Sequence, residues 1–293
     1  MSRQFCVTID VEPDCGIDWY RSNPLTFTNI ETGIAEILHP LFVAHHVRPT
    51  YLISPEVLNH PGSVEVFKRL DQCELGAHLH SEYIEPHLKY DNAAGTVSHE
   101  YPCSLPDEVE QKKIEAITDL FARCFGYPPK SYRAARFGAD EKTADFLAQI
   151  GYRVDTSVTP GIDWRPKGGP NFTGMPNQPY WLRGRDLLEV PVTIRNKRFP
   201  GLPNKWFCYR WLRPSIMTIW EMKQLIKSLV DGTSNVVLNM MFHSMEIMPK
   251  ASPYVRTARG QKQFIHKLET VFNTLQKFNF ESKTLLEIYD GWA

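Results

Sequence analysis

Strand-like and helix-like stretches alternate at least six times along this 293-residue chain, which limits the fold more than any other feature. Residues 5–12 (FCVTIDVE) are β-branched, end at Pro13 and read as a buried strand. Residues 30–45 carry apolar positions at helical spacing, 48–56 read as a second strand, 61–73 as a short helix and 74–80 as a third strand. Residues 106–126 give a strong helix signal, with proline and acids at the start and glycine at the end. A strand follows at 130–138, a helix at 140–151 and a strand at 152–159. Beyond a loop at 160–186, a strand is expected at 187–194, a helix at 214–232, a strand at 235–244 and a helix at 259–278. The tail FESKTLLEIYD supplies a last strand. This order predicts an α/β fold with a largely parallel sheet and helices outside it, as a barrel or a doubly wound sheet. No repeat or linker breaks the chain, so residues 1–293 are expected to form one domain. The loops at 83–105 and 160–186 are longer than usual, and such loops are often functional.

Composition removes several classes of partner. Formal net charge is zero, which leaves no electrostatic case for nucleic acid or an anionic membrane. No apolar segment is long enough to span a bilayer, and the first residues lack a signal core. Of the six cysteines (Cys6, Cys15, Cys73, Cys103, Cys124 and Cys208) none forms a CxxC pair, against a zinc ribbon or a thioredoxin-like site. A cytoplasmic protein with reduced thiols is expected. An aromatic content of 12% suits a sugar-stacking surface.

In parallel α/β folds reactive groups gather at the C-terminal ends of strands. Here those ends carry Asp10 and Glu12; His78 and His80, with Glu82 just beyond; Arg133 and Arg136; Asp155; and His243, followed by Ser244 and Glu246. Residues two apart on a strand face the same side, so Asp10 pairs with Glu12 and His78 with His80. A carboxylate and two imidazoles form a ligand set for Zn, and equally for Co, Ni or Fe. Three protein ligands leave a position for water or substrate. A nearby carboxylate would take a proton from water, and a separate histidine would protonate the leaving group.

The ordered motifs VTIDVE, ELGAHLHSE, YRAARFG (132–138), DTS (155–157) and VLNMMFHS (237–244) resemble those of the polysaccharide deacetylase family, also called NodB-homology or carbohydrate esterase family 4. The HLH and FHSME forms look most like the WalW-like branch of lipopolysaccharide and other surface-glycan gene clusters. The resemblance spans residues 5 to 244. It implies a distorted (β/α)7-type barrel and metal-dependent removal of an acetyl or formyl group from a sugar of a surface glycan or O-antigen precursor. Carried over by position, Asp10 is the general base, Arg133 orients it, His243 is the general acid and His78 is a ligand of one divalent ion, Zn first. Backbone N–H groups near Arg136 and Phe137 would steady the oxyanion.

The chain departs from the family pattern in three places. The second motif aspartate falls at Val11, so Glu12 must take over as ligand. The second ligand histidine falls at Glu82; His80 is the preferred third ligand and Glu82 the alternative. The proline and tyrosine of the third motif are missing, and Arg136 occupies that region. An arginine facing the site favours an acidic or lipid-phosphate-linked glycan. Arg136, Phe137, Asp155 and Trp164 are the expected substrate-facing residues. Two other readings stand beside this one: a hydrolase of another amide on the same scaffold, and a non-catalytic sugar-binding protein using Trp164, Trp181, Trp206 and Trp211 for stacking.

Overall fold

The computed structural model describes residues 3–87, 100–182, 184, 186–197, 208–230 and 235–292. The first strand, β1 (Arg3–Val11), lies one in from one end of its sheet. Cys6, Val7, Ile9 and Val11 are all fully buried, as in a strand covered on both faces. Along the sheet follow β2 (Pro49–Ile53), β3 (Glu74–Leu79), β4 (Ser131–Ala134) and β5 (Val154–Asp155). The far end is β6 (Tyr180–Trp181) and β7 (Leu188–Glu189), the one antiparallel pair of this sheet among the described residues. A separate antiparallel hairpin joins β8 (Ile194–Lys197) to β9 (Cys208–Trp211). On the other side of β1 lies β10 (Val236–His243), in parallel register with Asp10 beside His243. A short β11 (Phe280–Ser282) also pairs with β1.

The sheet curls until its far end approaches β10. Thr193 N–H donates to the Asn239 carbonyl at 3.0 Å, and Asn239 N–H donates to Thr193 Oγ1 at 2.7 Å. The Gln178 side chain bonds both backbone groups of Val237, at 2.8 and 3.2 Å, as a neighbouring strand would. The result is a mixed α/β, curled and largely parallel half-barrel of the kind the alternation predicts.

Helices cover the outside. A π-type helix, Asn29–Leu38, runs into α1 (His39–Ala44); one turn, α2 (Pro55–Leu58), and α3 (Pro61–Lys68) follow β2. Between β3 and β5 lie α4 (Asp107–Phe125) and α5 (Glu141–Ile150). α4 starts with Asp107, Glu108 and Glu110, which complement its dipole, and ends at Gly126 with φ +83°. α5 begins with Asp140 accepting from the N–H groups of Lys142 and Thr143. The remaining helices are α6 (Ile219–Val230), α7 (Ala258–Lys277) and α8 (Leu285–Trp292). Among the described residues no helix is long and apolar enough to cross a membrane. Cys6, Cys15, Cys73, Cys103 and Cys124 are free thiols.

Several boundaries differ from the sequence reading. The tail forms β11 and then α8, because a short apolar run such as LLEIY fits a helix as well as a strand. The expected strand at 130–138 ends at Ala134, and Arg136 and Phe137 take left-handed φ of 56° and 61°. Residues 187–194 divide between β7 and the hairpin strand β8. The long loop at 160–186 contains β6.

Two results are expected from this packing. Gly76 lies mid-strand in β3, where a Cβ would sit 2.7 Å from the Ser131 carbonyl oxygen and 2.8 Å from Leu52 Cδ2. Gly76→Ala should therefore cost ~1–3 kcal/mol by chemical denaturation, since the nearest neighbour is backbone and cannot swing away. Glu110 ties α4 to α5 by accepting from Thr143 Oγ1 at 2.5 Å, and burial pushes its carboxyl up to about 7. A raised acid pKa means that the folded state holds a proton the unfolded chain has released. Its contribution is thus present below about pH 4.5 and is lost as pH rises to about 7. Glu110→Gln, which mimics the protonated form, should gain on the order of 2 kcal/mol at pH 8 and little at pH 4, read by urea unfolding at both pH values.

Candidate active site

The C-terminal ends of β1, β3, β4 and β10 meet at a cavity of about 520 Å³. Asp10, Glu12, His78, His80, Glu82, Arg136, Phe137, Trp164 and His243 all line it, with Trp19, Arg21, Tyr101, Lys167, Arg213 and Tyr254. Its floor is a buried polar network inside the curl. Arg133 is fully buried and donates to Asp10 Oδ1 at 2.6 Å, Thr8 Oγ1 at 2.8 Å, and the Thr156 carbonyl and Oγ1 at 2.9 and 3.1 Å. Asn239 Nδ2 donates to Thr156 Oγ1 at 2.8 Å. A guanidinium held at four points has one position, so the Asp10 carboxylate does too. Burial pushes the Asp10 carboxyl up, but the charges of Arg133, His78 and His243 outweigh this and hold it below the usual range.

Three imidazoles converge on Glu12. Its Oε1 lies 3.3 Å from His78 Nε2, 3.2 Å from His80 Nε2 and 3.7 Å from His243 Nε2. Burial acts to raise Glu12, yet His80 and the hydrogen bonds of both β3-derived histidines leave its carboxyl well below the ordinary value. His78 Nδ1 faces the Arg133 carbonyl at 3.0 Å, and a carbonyl only accepts. A ring proton is therefore on Nδ1, which in the neutral imidazole turns the Nε2 lone pair to the carboxylate and in the imidazolium turns a second N–H to it. A proton on Nε2 satisfies that 3.3 Å contact with Glu12 Oε1, and with the ring neutral a cation beside the two acceptors would do so. Glu12, His78 and His80 offer ligand atoms all within 4.8 Å of one another, and their chemistry fits a divalent ion. Glu82 is buried beside Ser81 Oγ, 3.4 Å from its Oε2, and lies outside this trio; burial raises its carboxyl.

His243 has its own supports. Its Nδ1 lies 2.8 Å from Glu246 Oε1, and Arg213 pairs with that carboxylate. Its Nε2 points to Asp10 Oδ2 at 3.8 Å. Burial disfavours the imidazolium, but Glu246 and Glu12 outweigh it and raise the histidine above its ordinary value. Burial acts to raise Glu246 as well, and Arg213 overcomes it, leaving the acid at about 2. Trp19 packs edge-on to the His243 ring at 5.5 Å, and Tyr254 packs on Trp19 at 5.6 Å.

Not every expected residue reaches the cavity. Asp155 is absent from its lining: the carboxylate is buried, accepts from Ser157 Oγ at 2.6 Å and is raised to about 6 by burial. Trp181 packs on Tyr289 at 5.4 Å, and Trp211 supports Phe137 from 5.7 Å. Trp206 lies outside the described residues. Arg21, Glu56 and Arg213, with Trp19 and Tyr254, escaped the sequence reading. Glu56 had a signal, since it ends the strand-like run RPTYLISPE just as Glu12 ends the first. Arg21 and Arg213 lie in irregular segments where no periodicity points to a face.

No protein-family model matches this chain, and no curated protein does. Solved structures do match in fold. The GH57 branching enzyme TK1436 of Thermococcus kodakaraensis is 11% identical, with a TM-score of 0.55 over 100% of this chain and 72% of its own. The peptidoglycan N-acetylglucosamine deacetylase Bc1960 is 11% identical, with a TM-score of 0.51 over 97% and 86% of the two chains. A family 4 acetyl xylan esterase from Clostridium thermocellum, solved with a cobalt ion, is 12% identical, with a TM-score of 0.50 over 98% and 91%. The fold is thus one that carbohydrate esterase family 4 deacetylases share with a carbohydrate branching enzyme. Fold alone does not separate their chemistries.

Proposed function

We propose that this chain is a metal-dependent hydrolase that removes an N-acyl group from a sugar. The observation that carries the reading is the convergence of His78, His80 and His243 on one oxygen of Glu12, beside an Asp10 locked by Arg133. Glycoside cleavage, by contrast, uses a pair of carboxylates as acid and base or nucleophile. Here Glu12 is engaged by imidazoles and Asp10 by a guanidinium, so the donor set suits amide hydrolysis better.

Glu12, His78 and His80 would hold one divalent ion, Zn first, which when bound polarises an acyl carbonyl and makes water more acidic. Asp10, ionised at neutral pH, accepts the proton from the attacking water. His243, whose imidazolium Glu246 favours, lies beside it and gives a proton to the departing amine nitrogen. The turn Ala135–Phe137 lines the cavity, and its backbone N–H groups would steady the oxyanion. Phe137 and Trp164 offer faces for a sugar ring. Residues 1–293 act as one domain in this reading.

The substrate is a sugar of a surface glycan or lipopolysaccharide precursor carrying an acidic group. Support comes from Arg136, stacked 5.0 Å over Tyr101, and Lys167, 5.6 Å over Trp164, both on the cavity wall. The test combines elemental analysis with a panel of N-acetyl and N-formyl sugars, neutral and uronic. About one metal per chain in the wild type, lost in His78→Ala together with amine release, is the expected result. No metal uptake would overturn the mechanism. Equal rates on neutral and acidic sugars, unchanged in Arg136→Ala, would remove the acidic substrate.

A further inference from the structure

The two histidines from the end of β3 are held differently, and the difference singles out a pair of residues beside them. His78 Nδ1 faces a backbone carbonyl, which permits one tautomer. His80 Nδ1 has two claimants. Glu56 Oε1 lies 2.8 Å away and can only accept; Arg21 Nη2 also lies 2.8 Å away and can only donate. One nitrogen cannot satisfy both.

We infer that Glu56 and Arg21 form an opposed pair that sets how tightly Glu12, His78 and His80 hold a divalent ion, with Glu56 favouring the ion and Arg21 opposing it. The inference rests on the metal reading above. When the neutral His80 ring donates Nδ1–H to Glu56, as it must with an ion bound at Nε2, the Nε2 lone pair is left facing the trio. This is the carboxylate–histidine arrangement that orients metal-ligating imidazoles and increases their basicity. When Arg21 donates to Nδ1, the ring proton moves to Nε2, 3.2 Å from Glu12 Oε1, and the ring cannot ligate.

Charge acts in the same direction as the tautomer. Arg21 reaches Glu56 Oε1 at 3.2 Å and Glu12 Oε2 at 3.5 Å, with its guanidinium 4.7 Å over the Tyr83 ring. It neutralises the acids that a divalent ion would otherwise neutralise. Glu56 is built for the opposite part. It is 5% exposed on the single turn α2, and its Oε2 is buried without a hydrogen-bond partner. A buried carboxylate left half-satisfied gains from a nearby cation. The pair would keep the ion exchangeable: Glu56 orients the ligand, and Arg21 fills the need for positive charge when the ion leaves.

The experiment is a competition titration of Zn²⁺, and separately Co²⁺, against a chromophoric chelator, using the full chain. Wild type, Glu56→Gln, Arg21→Gln and His78→Ala are compared. Glu56→Gln should weaken binding by roughly 10- to 100-fold, the range for lost carboxylate partners of ligating histidines. Arg21→Gln should tighten it by roughly tenfold, because a like charge beside the ion is gone. The opposite signs are the signature, since a merely structural role would weaken both. Wild-type affinity in both variants, or weakening in both, overturns the inference while leaving the metal reading intact. Absence of binding in the wild type overturns the metal reading itself and this inference with it. If thermal unfolding shows Glu56→Gln to be misfolded, Glu56→Asp and the sign of the Arg21→Gln change decide.

Discussion

Replacing Asp10 by asparagine is expected to lower kcat by roughly 10²- to 10⁴-fold, the range for loss of a positioned general base. The substitution keeps the shape and one acceptor oxygen for Arg133, now 2.6 Å from Oδ1, but removes the charge and the proton-accepting capacity. KM should change little, because Arg136, Phe137 and Trp164 on the cavity wall are untouched. The measurement is steady-state kinetics on the best N-acyl sugar from the panel, with circular dichroism to confirm the fold. Turnover within tenfold of wild type would remove Asp10 as the base. Attention would then pass to Glu82, a buried carboxyl that also lines the cavity.

The second large effect is on stability. Arg133→Met should lower the free energy of unfolding by ~3–5 kcal/mol, the usual penalty when one member of a buried ion pair is removed. Arg133 is fully buried and Asp10 is 2% exposed, so water cannot replace the lost partner. The Thr156 carbonyl and the Thr8 hydroxyl lose a donor at the same time. Urea unfolding of the single variants and of Asp10→Asn with Arg133→Met forms a double-mutant cycle. The double variant should be less damaged than the sum of the singles, because no unpaired charge remains inside the curl. Strict additivity would mean that the pair contributes independently and that Arg133 does not hold Asp10 in place.

The arrangement also separates two jobs that a catalytic floor must do. The Arg133, Thr8, Thr156 and Asn239 network lies inside the barrel and fixes Asp10 from below. The Arg213 and Glu246 pair fixes His243 from the side. In the proposed mechanism Asp10 and His243 are thus each ordered by a different arginine, so substitutions at one should leave the other in place.

Strand-end logic was enough to gather the central residues. Asp10, Glu12, His78, His80 and His243 end predicted strands and all line one cavity, because period-two alternation and parallel register leave such side chains few directions to point. Alternation of elements was likewise enough for a largely parallel α/β sheet. Other features depend on chain segments with no period to read. Glu56 sits on a one-turn helix, Arg21 and Arg213 on irregular stretches, and their places follow from which charges need neutralising in three dimensions. Asp155 looked like a site residue by position, yet β5 has only two residues and its carboxylate is turned to Ser157 beneath the cavity. Residue types and spacings determined which groups meet at the strand ends. Only the curl of the sheet decided which nitrogen faces which oxygen, because hydrogen-bond direction and burial are properties of the packed chain and not of the order of its residues.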